Sequence, residues 1–143
     1  MRWIDDIVNG ILEVYNTNNP YQLCRHLGIK IERVHHANLM LAEKDSIYYQ
    51  NYFGNEIIFI RDDLYGYDEE FILKHELGHA ILHNEIINSP FTNIGKLDMQ
   101  ANYFALALTG VRFDEIEMNG MTLEQIASCA NVPYEPLAQL VNL

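Results

Sequence analysis

Apolar positions change their period several times along the chain, and each change marks an element. Over residues 3–16, Trp3, Ile4, Ile7, Val8, Ile11 and Leu12 recur at spacings of three and four. That predicts an amphipathic helix with one buried stripe. "TNNPYQLCRHLGI" carries its own punctuation, with Asn19 as N-cap, Pro20 as first helical residue and Gly28 as the stop. "IKIERVH" alternates as a strand does. Two further β-rich runs, "DSIYYQ" and "NEIIFIRDD", flank "NYFG", whose turn chemistry predicts a hairpin.

Helical periods then return. "YGYDEEFILKHELGHAILHNE" predicts the strongest helix, with Asp68 placed to cap it and Glu69 and Glu70 suited to the positive end of its dipole. "IINSPFTNIGK", residues 86–96, reads as a loop. "LDMQANYFALALTG" predicts a second strong helix that buries Leu97, Ala101, Phe104, Ala105 and Leu108 and stops at Gly110. "MTLEQIASCANV" opens with Thr122 and Gln125 as a capping box, and a last helix follows Pro133, around 134–142. Two helices, a small sheet and then helices is an α+β order, not βαβ alternation. The expected architecture is a small antiparallel sheet with a hairpin, a long helix and C-terminal helices. A chain of 143 residues suits one domain. Residues 1–95 would supply the N-terminal helices, sheet and long helix, and residues 96–143 the helical remainder.

Composition narrows the functional classes. With 49% hydrophobic and 20% charged residues the chain is globular, not disordered. No apolar run reaches the roughly 18 residues of a membrane span. The acidic, amphipathic start "MRWIDDIVNGILEVY" does not resemble a signal peptide. Cys24 and Cys129 lie far apart with no C-x-x-C pattern, so a reducing cytoplasm is expected. A formal charge of -11 argues against a phosphate-binding surface and would steer a basic partner inward. "IASCANVPYEPLAQL" has the outline of half a helix-turn-helix, with Val132 in the turn. From residue 113 onward, however, there is no Lys or Arg, and Asp114, Glu115, Glu117, Glu124 and Glu135 are present. Packed helices that can dock a partner are expected there, not direct nucleic-acid contacts.

The chemistry concentrates in "KHELGHAILH", residues 74–83. His75 and His79 are four apart, so on a helix they share a face with Cβ atoms roughly 5–6 Å apart. Two imidazoles at that separation can converge on one zinc with bonds of about 2.0–2.1 Å. Glu76 lies about 100° around the axis, an offset that suits a general base acting on zinc-bound water better than a third ligand. A catalytic zinc site needs a third protein ligand and an open fourth position. His83, four residues past His79, is one candidate. It equally suits the last helical turn, where histidine meets the dipole favourably. Asp98, on the second strong helix, is the other. A short connection lets two helices pack side by side and bring Asp98 to the imidazoles, and Asn102, one turn on, could accept a ligand histidine's N–H. Beside H-E-x-x-H, Asp98 is the better ligand, with Asn102 and His83 as supporting residues. Gly78 offers a place for a neighbouring element to pack close.

"HELGHAILH" followed by "DMQANYFALAL" resembles the ImmA/IrrE metallopeptidases, whose pattern is H-E-x-G-H-x-x-x-H and then E-x-x-A-N-x-F-A. The resemblance extends upstream to the hairpin and downstream to "MTLEQIASCANVPYEPLAQL". It implies a minimal zincin-like fold, zinc held by His75 and His79, Glu76 as catalytic residue, and proteolysis of a helix-turn-helix repressor encoded beside the gene. Such cleavage would relieve repression of phage or mobile-element genes in a bacterial host. Asp98 occupies the slot where the family usually has glutamate. Being one methylene shorter, it requires the second helix to sit closer or leaves the metal more weakly held.

On this reading the substrate adds as an extended strand along a sheet edge, with "EIIFI" (56–60) as the candidate edge. An oxyanion helper is expected but not identified, and Tyr103, about 140° from Asp98, is a poor candidate. The alternative is a non-catalytic anti-repressor that binds the repressor and uses metal only to fold. Cys24, Cys129, Trp3, Tyr48, Tyr49, Tyr52 and Phe53 read as core or rim. His26, His35 and His36 lack a metal-spaced partner, although His35 or His36 could reach the cleft.

Overall fold

A computed structural model describes residues 1–83, 93–112 and 120–141. The chain enters through helices α1 (Arg2–Tyr15) and α2 (Pro20–Leu27). Asn19 caps α2 by accepting the N–H groups of Tyr21 and Gln22, and Gly28 closes it at φ 74°. Strand β1 (Lys30–Val34) follows, then a short 3-10 turn (Leu39–Leu41) and the hairpin strands β2 (Ser46–Tyr52) and β3 (Asn55–Arg61). Phe53 (φ 52°) and Gly54 (φ 83°) form the two-residue hairpin turn. Helices α3 (Gly66–Leu82), α4 (Ile94–Thr109), α5 (Leu123–Ala130) and α6 (Tyr134–Val141) complete the described α+β fold. No described helix is long and apolar enough to cross a membrane.

The sheet order is β1-β3-β2, with β1 parallel and β2 antiparallel to β3. The sheet is therefore mixed, not wholly antiparallel. The "EIIFI" run is its central strand, not an edge. Residues Ile57, Ile58, Phe59 and Ile60 are all buried, so both faces of β3 are covered, and a continuous apolar run marks such a strand.

Strands β1 and β2 are the two edge strands, and β2 is the one that packs beside α3. Arg61 donates its N–H to the Asp45 carbonyl at 3.0 Å, so these two residues form a hydrogen-bonded antiparallel pair. Ser46 opposite Ile60 and Tyr48 opposite Ile58 are then non-hydrogen-bonded pairs. Their own N–H and C=O groups point away from β3. Their side chains share the sheet face that packs on α3.

Helix α3 is buried around most of its circumference, which places it at the centre of the molecule. One core joins Ile4, Val8 and Leu23 from the N-terminal helices to Ile58 and Ile60, to Leu73 and Leu77, and to Phe104 and Leu108. A second packs the other side of α4 (Ala105, Leu106) against Phe71, Ile126 and Leu137. Each fully buried Leu or Ile contributes about 1.5–3 kcal/mol.

Several local expectations shift. Trp3 is 46% exposed, and α1 buries Ile4 and Val8 instead. Phe53 is exposed at the hairpin tip. Asp68 lies within the first turn of α3; the N-cap is Tyr65, without a side-chain bond. Helix α4 starts at Ile94, inside the predicted loop, with Asn93 as cap accepting the Lys96 N–H at 3.1 Å. The rest of that loop, residues 86–92, lies outside the described residues. The Thr122–Gln125 capping box forms as expected.

Gly78 is where α3 and α4 touch. A β-carbon added there would stand 3.1 Å from Ala101 Cα, 3.2 Å from the Ala101 carbonyl oxygen and 3.2 Å from Phe104 Cδ1. Two of those atoms are backbone and cannot rotate away. Replacing Gly78 with Val is expected to cost about 1–3 kcal/mol in denaturant unfolding; unchanged stability would contradict this close packing. The two thiols are free, Cys24 buried and Cys129 exposed. Burial pushes the Cys24 thiol up to about 12, which suppresses its thiolate. Native protein is therefore expected to titrate one thiol rapidly with a disulfide reagent and both after denaturation. Rapid reaction of both in the native state would contradict the burial of Cys24.

Candidate metal centre

Helix α3 presents His75 and His79 one turn apart, and α4 brings Asp98 to them. The two Nε2 atoms stand 3.1 Å apart. Asp98 Oδ1 lies 3.0 Å from His79 Nε2 and 3.6 Å from His75 Nε2. Among the described residues, this is the one group of three potential ligands whose donor atoms converge. Donors about 2.0–2.1 Å from a tetrahedral zinc stand roughly 3.3–3.4 Å from one another. The separations straddle that value, so two imidazoles and a carboxylate fit zinc by spacing and by donor chemistry. His79 is buried, His75 half-buried, and the Asp98 side chain 53% exposed, so the cluster opens towards solvent on the α4 side.

The electrostatics follow from the same convergence. Hydrogen bonds to His75 and then His79 hold the Asp98 carboxyl well below the usual carboxylate range, against the opposing effect of burial. At His75, burial pulls the imidazole down. Asp98, Glu76 and Asn102 together outweigh it and leave the pKa raised. Negative charge thus gathers where a cation fits, and protons compete with a metal for the same nitrogens.

Supporting bonds orient both rings. His75 Nδ1 lies 2.7 Å from Asn102 Oδ1. With Nδ1–H donating there, Nε2 keeps its lone pair for a cation. His79 Nδ1 lies 3.1 Å from His83 Nδ1, and His83 Nε2 lies 2.8 Å from Gln100 Oε1. One tautomer assignment satisfies the whole chain: His79 Nδ1–H donates to His83, and His83 Nε2–H donates to Gln100. Burial lowers the His83 pKa and favours the neutral form that this relay needs. His83 is thus placed behind His79, not in the converging cluster.

Glu76 is buried beside the cluster, and its Oε1 accepts a hydrogen bond from the Ser46 hydroxyl at 2.7 Å. Lys74 points to the other side of α3 and donates to Thr109 Oγ1 at 3.0 Å, which ties α3 to α4 a second time; burial lowers its pKa. The Tyr103 hydroxyl donates to Asp5 on α1 and so turns away from the cluster. His35 and His36 lie against each other with their rings tilted, and His26 stacks on Tyr15. None of them joins the converging donors.

Of the residues expected from the sequence, the structure brings His75, His79 and Asp98 together, with Asn102 against His75 and His83 against His79. Sequence reasoning missed Ser46 and Gln100. Ser46 lies 30 residues from Glu76, and only the tertiary fold brings them together. Gln100 is two residues from Asp98, off the face defined by Asp98 and Asn102, and its role depends on where His83 sits.

A family model described as the IrrE N-terminal-like domain, Peptidase M78, matches residues 24–142. The chain is 31% identical over 146 residues to an uncharacterized immunity region protein 2 of Bacillus phage phi105, covering 95% of this chain and 87% of that one. It is 28% identical over 136 residues to Metallopeptidase ImmA of Bacillus subtilis (strain 168), covering 88% and 76% respectively. No solved structure matches significantly. The family match over residues 24–142 takes in the converging histidines, the glutamate beside them and the carboxylate on α4, and on it the chain belongs to the ImmA/IrrE family of metallopeptidases.

Proposed function

We propose that the chain is a zinc-dependent endopeptidase that cleaves a helix-turn-helix repressor in the bacterial cytoplasm and so relieves repression of phage or mobile-element genes. The observation that carries the reading is the convergence of His75, His79 and Asp98 with Glu76 buried alongside. The name of the phi105 relative, an immunity region protein, supports a repressor as the target. The two parts of the chain, 1–95 and 96–143, work as one domain, since each contributes ligands.

His75, His79 and Asp98 would hold the ion. Zinc held there would supply Lewis acidity for peptide hydrolysis. Glu76 would accept a proton from the attacking water and pass it to the departing amine. Asn102 and the His83–Gln100 pair hold the histidine rings in the tautomers that leave Nε2 free. An extended segment of substrate pairs with the outward N–H and C=O groups of Ser46 and Tyr48 on the β2 edge. That edge lies next to Glu76 through the Ser46 bond.

The non-catalytic reading, an anti-repressor that acts by binding alone, separates cleanly. Glu76→Gln removes the base and leaves the ligands. It is expected to lower cleavage of the repressor encoded beside the gene by about a hundredfold or more, with zinc content unchanged. Derepression that survives Glu76→Gln in cells would favour binding alone. For the supporting shell, His83→Ala and Asn102→Ala are each expected to weaken zinc about 10- to 100-fold in a competition with a chromogenic chelator. Parental affinity in both variants would contradict the orienting role.

A further inference from the structure

Ser46 takes part in two structures at once. It is the first residue of the edge strand β2, and its backbone N–H and C=O point outward from the sheet, as the Asp45–Arg61 pairing requires. Its side chain points to the opposite concern. The hydroxyl donates to Glu76 Oε1 at 2.7 Å, within the range of a charge-assisted O–H···O⁻ bond, and both residues are buried. Among the described residues, this is the hydrogen bond that the Glu76 carboxylate receives. Glutamate has three side-chain torsions, and burial alone leaves the last of them broad. A short bond to one oxygen restrains that torsion and leaves the second oxygen outside the bond.

We infer that Ser46 is a positioning residue that holds the Glu76 carboxylate in its working orientation and links substrate pairing on the β2 edge to the placement of the base. The inference rests on the endopeptidase reading above. A substrate strand that pairs with the outward groups of Ser46 is thereby registered against Glu76 through one residue. Displacing an acid–base group by about 1 Å can cost on the order of a hundredfold in rate, so the bond has room to matter.

The test compares Ser46→Thr with Ser46→Val, which share a shape and differ by the hydroxyl, with Ser46→Ala as a third variant. Each is loaded with zinc and assayed on the adjacently encoded helix-turn-helix repressor, with Glu76→Gln run alongside. Thr is expected to keep kcat close to parental. Val and Ala are expected to lose about 10- to 100-fold in kcat with KM changed by no more than about twofold. Cobalt-substituted absorption spectra are expected to match the parent in all variants that fold, since no ligand is touched. Should Ala collapse the strand, the Thr–Val pair decides. Val or Ala with parental kcat, or Thr as impaired as Val, would overturn the inference while an inactive Glu76→Gln leaves the endopeptidase reading standing. Full cleavage by Glu76→Gln would overturn that reading itself, and the role of Ser46 with it.

Discussion

The close approach of α3 and α4 at Gly78 and Ala101 is the constraint from which the rest follows. Two histidines on one helix face can be built by any helix with the right spacing. A third ligand must come from elsewhere, and an aspartate reaches less far than a glutamate. Asp98 stands 3.0 Å from His79 Nε2 because the backbone of α4 at Ala101 lies where a side chain on residue 78 would be. The Lys74–Thr109 bond repeats the tether further along the two helices. The shorter carboxylate and the missing β-carbon are thus two sides of one geometry.

Around that contact the molecule is organised to keep polar side chains in place inside a small core. Glu76, His79 and His83 are all buried, and each has a partner: Ser46 for the glutamate, His83 for His79, Gln100 for His83. Buried polar groups left unpaired cost on the order of 1–3 kcal/mol each, so these bonds stabilise the fold as well as orienting the site. Glu69 is handled in the same way, paired with Arg33 of β1, and this pins the start of α3 to the sheet.

The sequence was most legible where chemistry is local. Asn19, Pro20 and Gly28 bound α2 as their side chains and backbone freedom dictate, and Thr122 with Gln125 start α5 for the same reason. H-E-x-x-H and the "DMQAN" block lie on adjacent helices, and helical spacing alone puts Asn102 behind His75. Legibility ended where tertiary pairing decides. The alternation of "IKIERVH" says strand but not direction, so the parallel pairing of β1 was invisible, as was the central position of β3. Trp3 shares the periodic stripe of α1 but falls beyond the edge of the surface it packs on. Ser46 carries no signal at all, being an ordinary strand residue until the sheet is laid against α3.

The proposed chemistry requires one ion held by His75, His79 and Asp98 together. Anomalous diffraction at the zinc edge from crystals of the zinc-loaded protein tests it most directly. A single strong peak is expected within about 2.0–2.2 Å of His75 Nε2, His79 Nε2 and an Asp98 carboxylate oxygen. A peak on His83, or on His75 and His79 with Asp98 turned away to solvent, would contradict it.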